Sequence, residues 1–148
     1  MYKFEVNMVR ENWNREELIV AFNLYCKIPF GRITSKNPEI INLAKIIRRT
    51  PSAVALKLVN FARLDPELQK RKIAGMSHGS KSEGEIWNEF HGNWSELAFE
   101  SETLLAQFKG ETIENSAKIN LENIPIEGKE REAMIKARVT KISLDPLF

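Results

Sequence analysis

Three dipeptides, each a capping residue followed by proline, fix where helices can begin in the first half of the chain. They are Asn37–Pro38, Thr50–Pro51 and Asp65–Pro66. The first side chain of each pair can accept a hydrogen bond from a free backbone N–H of the first turn. Proline suits the first helical position because its missing donor is not needed there. The sequence therefore predicts a helix start at each of these points.

The middle one of these helices has an apolar face and a polar face. Val54, Leu58 and Phe61 recur at intervals of four and three residues, which is the spacing of a buried helical stripe. The polar face carries Ser52, Lys57, Asn60 and Arg63. No acidic residue occurs between Glu39 and Asp65. Small and amide side chains mixed with cations are typical of a helix that lies against phosphates and reaches base edges.

The helices before it complete the pattern of a helix-turn-helix. Asn14 and Glu17 have the spacing of a capping box, which predicts a first helix. The second helix ends at the basic pair 48–49, so that only Thr50 separates it from the third. So tight a turn forces the two helices to cross steeply. We therefore expect three helices to bury their apolar stripes together in a basic module, residues 1–72.

The rest of the chain is also predicted to be helical, which makes the expected fold all-α. Ser82 and Glu85 predict another capping box, followed by two helices that are acidic outside and aromatic inside. They form an extension, residues 73–109, packed on the basic module. Residues 110–148 are predicted to be a polar linker and a C-terminal helix. Residues 1–12 fit either a short strand or an extended arm.

The net charge of +2 conceals a division between the two halves of the chain. Residues 1–82 contain 15 Lys and Arg against 7 Asp and Glu, whereas residues 83–148 contain 7 against 13. A basic half of this kind is expected to attract a polyanion. The longest apolar runs are far shorter than a bilayer requires, and the start MYKFEVNMVRENW has no signal core. We therefore expect a cytoplasmic chain that does not enter a membrane.

The order of the motifs resembles two related groups of proteins. The arrangement of Trp13 before Glu16 and Glu17, with RTPSAVALKL in the third helix, is similar to Myb/SANT-like domains. The run from WNREELIVAFNLY through NPEIINLAKII and RTPSAVALKLVNFARLDP to IWNEFHGNW resembles the N-terminal region of bacterial HNH-family predicted restriction endonucleases. The segment GKEREAMIKARV extends that resemblance. It implies a DNA-targeting role in restriction-modification, carried by residues 48–63.

The resemblance does not supply a catalytic centre. An HNH site needs a histidine that polarises water, further ligands for a divalent metal, and often CxxC pairs for zinc. The chain has two histidines and one cysteine. It also lacks the motifs of phosphate-binding loops, serine hydrolases and zinc proteases. We therefore expect no catalytic residue, no metal and no cofactor, in either a fragment of a longer nuclease or a stand-alone relative.

The predicted DNA-contacting residues lie on the second and third helices and on the loop before them. Their cations would neutralise phosphates, and Ser52, Lys57 and Asn60 would touch bases, Asn60 being suited to adenine. The full set is Arg32, Lys36, Lys45, Arg48, Arg49, Thr50, Ser52, Lys57, Asn60 and Arg63. The expected partner is double-stranded DNA, held more tightly if a homodimer meets a palindromic site.

Three alternatives to a DNA-targeting domain stay open. The cations of the third helix could form only a solvated face. The chain could instead be a helical adaptor that docks another protein through Trp87, Phe90 and Trp94, or a stand-alone transcriptional regulator. DNA binding predicts an affinity that falls steeply with salt, whereas an adaptor would be indifferent to it.

Overall fold

The computed structural model describes residues 12–70, 80–118 and 120–144, and within these ranges all regular elements are helical. The α-helices are α1 (Arg15–Lys27), α2 (Pro38–Ile47), α3 (Pro51–Ala62), α4 (Pro66–Lys70), α5 (Lys81–Phe90), α6 (Trp94–Lys109), α7 (Ile113–Ala117) and α8 (Lys129–Leu144), with one 3₁₀ turn at Phe30–Arg32. The prediction of an all-α fold is confirmed. The strand or arm expected over residues 1–12 lies almost wholly outside the described residues.

All three helix starts predicted from a capping residue and proline are confirmed. Thr50 Oγ1 accepts a hydrogen bond from the backbone N–H of Ala53 at 3.1 Å. Asn37 and Asp65 accept equivalent bonds in the first turns of α2 and α4. The capping box at the start of α1 is also present, since Asn14 and Glu17 bond reciprocally. These bonds depend only on neighbouring residues, which is why sequence patterns locate them well.

The helix α1 is buried on all sides in its middle. Residues 18–22 are each no more than 2% exposed, whereas a surface helix buries a single stripe. The ring of Phe22 lies 5.0 Å from that of Phe61 on α3 and 5.2 Å from that of Trp87 on α5, measured between centroids. Helices α1, α2 and α3 therefore share one core with α5 and α6 and do not close a bundle by themselves.

The segment predicted to be a linker after residue 110 contains ordered structure. Thr112 caps the short helix α7, and Arg131 on α8 donates to the carbonyl of Pro125 at 2.9 Å. The helix α8 buries Ile135 and Val139 in a second, smaller cluster, which also contains Phe99, Ile113 and Ile124. The expected linker is wrong over this stretch because isolated apolar residues and arginine side chains, which have no sequence period, hold it against α6 and α8.

The capping box of α5 lies two residues earlier than predicted. Its members are Ser80 and Glu83 rather than Ser82 and Glu85. The N–H of Ser80 donates to Glu83 Oε1 at 2.9 Å. Both pairs have the required spacing, so the sequence alone cannot choose between them. Cations on α3 favour the capping box of Ser80 and Glu83, because they approach the carboxylate of Glu83.

Candidate nucleic-acid interface

The turn between α2 and α3 is closed by Arg48 in the left-handed conformation, at φ 61° and ψ 45°. The N–H of Arg49 donates to the carbonyl of Ala44 at 2.9 Å, which ends α2 as a Schellman motif does. Glycine or asparagine usually occupies this position, because the left-handed conformation costs other residues about 1–2 kcal/mol. Because this strained position holds an arginine, the arginine side chain is a candidate for a functional role.

Six of the predicted residues form an exposed set along α2 and the start of α3, which we call the exposed edge. Its members are Arg32, Lys36, Lys45, Arg48, Thr50 and Ser52. None of its four cations makes an ion pair with any residue of 12–70, 80–118 or 120–144. The ten residues of α2 separate Lys36 from Arg48 by about 15 Å. The exposed edge therefore presents unneutralised positive charge at both ends of one helix.

Three other predicted residues lie on a second surface of α3, which we call the covered face: Lys57, Asn60 and Arg63. Lys57 Nζ lies 2.7 Å from Glu83 Oε2, and Arg63 Nη2 lies 3.7 Å from Glu83 Oε1. Arg63 also donates to the carbonyl of Ser80 at 3.0 Å. The side chain of Lys57 is 13% exposed, that of Glu83 is fully buried, and Asn60 is buried. The base and phosphate contacts expected of these three residues do not fit this arrangement.

The carboxylate of Glu83 is ionised where it holds the covered face against α5. Burial acts to raise its pKa, but hydrogen bonds from Lys57 and Ser80 outweigh burial and hold the pKa below the usual value of a glutamate. The first turn of α5 thus supplies the negative charge that the sequence analysis assigned to DNA phosphates. Charge on the covered face is satisfied inside the protein.

The tenth predicted residue, Arg49, is also engaged within the protein. Its guanidinium forms two hydrogen bonds of 2.9 Å with the carboxylate of Glu17 on α1, and both side chains are nearly buried. The ring of Trp13 lies 4.6 Å from the guanidinium carbon. Arg49 therefore fastens the α2–α3 turn to α1, and the phosphate contact expected of it does not fit this position.

The aromatic side chains proposed as the docking surface of an adaptor mostly pack into the core. Phe90 is buried, and Trp87 packs between Phe22 and the ring of His91. Of the three predicted residues only Trp94 is substantially exposed, at 41%. A single exposed ring does not make the continuous docking surface that the adaptor alternative requires.

Sequence reasoning missed the acidic partners of the covered face and of Arg49. Glu83 lies 26 positions from Lys57 and Glu17 lies 32 from Arg49. Both acids were recognisable only as capping residues, and nothing in the spacing links them to a cation on another helix. The absence of acids from α3 was a correct observation, but it did not show that the helix lacks acidic neighbours.

The described residues contain no group of three or more His, Cys, Asp and Glu side chains that could hold a metal ion. No helix in the same part of the chain is both long and apolar enough to cross a bilayer. Comparison of the chain with protein-family models, with curated proteins and with solved structures gives no match. The case for a function therefore depends on the geometry of the chain itself.

Proposed function

We propose that this chain binds double-stranded DNA through the exposed edge and acts as a targeting module without its own catalytic centre. The observation that carries the proposal is the division among the predicted cations. Arg49, Lys57 and Arg63 are neutralised by buried glutamates, whereas the four cations of the exposed edge are not. Unpaired cations at both ends of a helix that leads into a tight helical turn suit a phosphate backbone.

The proposed mechanism assigns phosphate contacts to the ends of α2 and groove contacts to the start of α3. Lys45 and Arg48 lie beside the N-terminus of α3, while Arg32 and Lys36 lie at the far end of α2. The hydroxyl of Thr50 already accepts from Ala53, which leaves its hydrogen free to donate to a phosphate. Four phosphate contacts would give a slope of about −3.6 for log affinity against log salt.

Fewer side chains of this surface are available to contact bases than the sequence predicted. With Lys57 paired to Glu83 and Asn60 buried, Ser52 and Leu56 are the exposed side chains on the outer surface of α3, and Leu56 is 49% exposed. A hydroxyl can bond any base edge, and an aliphatic side chain can contact the methyl group of thymine. We therefore expect modest sequence preference from one copy, and sharper preference from a homodimer on a palindromic site.

The test is a fluorescence anisotropy titration of a labelled random-sequence duplex between about 50 and about 200 mM salt. The double variant Lys45→Gln/Arg48→Gln should lower affinity by more than about tenfold and flatten the salt slope by about 1.8. The matched control, Lys129→Gln/Lys141→Gln, removes the same charge from exposed positions on α8. It should lower affinity by less than about twofold and leave the salt slope unchanged.

Two results would overturn the proposal. Equal losses in the two double variants would show that only net charge attracts the duplex, with no defined surface. An affinity that does not change with salt would exclude phosphate contacts altogether.

A further inference from the structure

A cavity of about 270 Å³ lies between α1, α2 and α6. Part of its wall is aliphatic, formed by side chains such as Val20, Leu43 and Leu105. Polar and charged side chains line the rest: Asn23 and Lys27 of α1, Glu39 and Asn42 of α2, and Ser101 and Glu102 of α6. No residue of the exposed edge lines this cavity, so an inference drawn from it does not rest on DNA binding.

Two of the polar residues that line the cavity are buried. Asn23 is 7% exposed and Ser101 is fully buried. Within residues 12–70, 80–118 and 120–144, Ser101 Oγ is enclosed and makes no hydrogen bond. Buried polar groups in proteins are nearly always paired, because leaving one unpaired destabilises the fold. The Ser101 hydroxyl at the wall of the cavity therefore indicates a partner that enters from outside the chain.

The size of the cavity limits that partner. A dry cavity of about 150 Å³ accommodates benzene, and sites for drug-sized ligands begin at about 300 Å³. A cavity between these limits suits a molecule of one or two rings. Aliphatic walls favour a flat apolar surface on such a molecule. Two acids, Glu39 and Glu102, line the cavity against one cation, Lys27, and this excess of negative charge disfavours a phosphate.

We propose that this cavity binds an uncharged nitrogen heterocycle of one or two rings, the chemistry of a free nucleobase. The amide of Asn23 presents a donor and an acceptor side by side, which match the adjacent acceptor and donor of a base such as adenine. The hydroxyl of Ser101 can donate or accept. The aliphatic walls would contact both faces of the ring.

The experiment is an NMR titration of the ¹⁵N-labelled protein with adenine, in which the side-chain amide signals of Asn23 are followed. These signals should shift and saturate. Asn23→Leu, which keeps the size and removes the amide, should weaken binding by about tenfold or more, and Ser101→Ala by several-fold. The matched control is Asn60→Leu, because Asn60 is a second buried asparagine and lies outside the cavity. It should leave adenine binding unchanged.

Thermal unfolding of the same variants separates loss of binding from loss of fold. Asn23→Leu should melt no lower than the unmodified chain, since it replaces a polar side chain beside aliphatic neighbours with an apolar one of similar size. If it does not fold, the smaller change Ser101→Ala carries the test.

The proposal is overturned if adenine leaves the Asn23 signals in place. It is also overturned if benzene binds as tightly as adenine, or if Asn60→Leu weakens binding as much as Asn23→Leu. If Lys45→Gln/Arg48→Gln loses DNA binding and still binds adenine, the adenine site is independent of the proposed DNA surface.

Discussion

The exposed edge and the covered face are both cationic in sequence, the first along α2 and the start of α3 and the second on α3. They differ in one respect, which is the presence of a carboxylate. Glu83 on α5 meets Lys57 and Arg63, whereas no acid in the described residues pairs with Lys45 or Arg48. The comparison teaches that the charge of a basic helix is available to a polyanion only where no acid packs against it, which the residues of the helix alone do not reveal.

The two surfaces should also differ in what their charges contribute to stability. A buried ion pair is costly to disrupt from one side, because the remaining charge is left without water or a partner. An exposed cation interacts mainly with solvent and contributes little to the free energy of unfolding. The covered face should therefore respond to mutation through stability, and the exposed edge through binding.

The largest expected effect is on the covered face. Glu83→Gln leaves Lys57 and Arg63 without a buried negative charge and should lower the free energy of unfolding by about 3–5 kcal/mol. The matched control is Glu89→Gln, also on α5, whose pair with Arg15 is about half exposed. That change should cost no more than about 1 kcal/mol. Urea unfolding measures both, and similar losses in the two variants would contradict the distinction.

A second prediction compares one lysine from each surface. Lys45→Gln should weaken DNA binding by roughly five- to tenfold near 0.1 M salt and leave stability almost unchanged. Lys57→Gln should do the reverse, since it leaves Glu83 buried without its closest cation. Anisotropy titrations give the DNA affinity of each variant, and urea unfolding gives its free energy of unfolding. If Lys57→Gln flattened the salt slope while the protein remained folded, Lys57 would have to contact DNA, which would contradict the distinction between the two surfaces.

A third prediction concerns acid. The folded-state pKa of Glu83 lies below its ordinary value of about 4.3, so its contribution to stability is complete above that pH. The contribution is lost as the pH falls through the lower folded-state pKa. The stability difference between the unmodified chain and Glu83→Gln should therefore be constant above about pH 5 and shrink in stronger acid. Urea unfolding across this pH range would contradict the assignment if the difference grew on acidification.

The smallest expected effect lies on the exposed edge. Arg48→Gly relieves the left-handed conformation of a non-glycine residue, but it also loosens the unfolded chain. The net change should be a gain of about 0.5–1 kcal/mol in stability. DNA affinity should fall, because the cation is lost. A gain in stability together with a loss of DNA affinity would indicate that the side chain of Arg48 serves binding at a cost in stability. A loss of stability would contradict this account of Arg48.

Local chemistry made most of the fold predictable from the sequence. The helix starts at Asn37, Thr50 and Asp65 depend on residues within one turn, and the all-α class follows from helical periodicity. The site was less predictable, since the burial of Lys57 depends on Glu83, which is distant in sequence. Asn60 was expected to read adenine for a similar reason: a polar residue on a basic helix gives no sign of being buried.

The enclosure of α1 limits how the protein can be dissected. Its middle turns are covered by α2, α3, α5 and α6. A shortened chain ending at residue 70 would leave the ring of Phe22 without Trp87 and would give water access to side chains that are now dry. The basic half should therefore aggregate when expressed alone. Any minimal fragment that folds must therefore extend through α6.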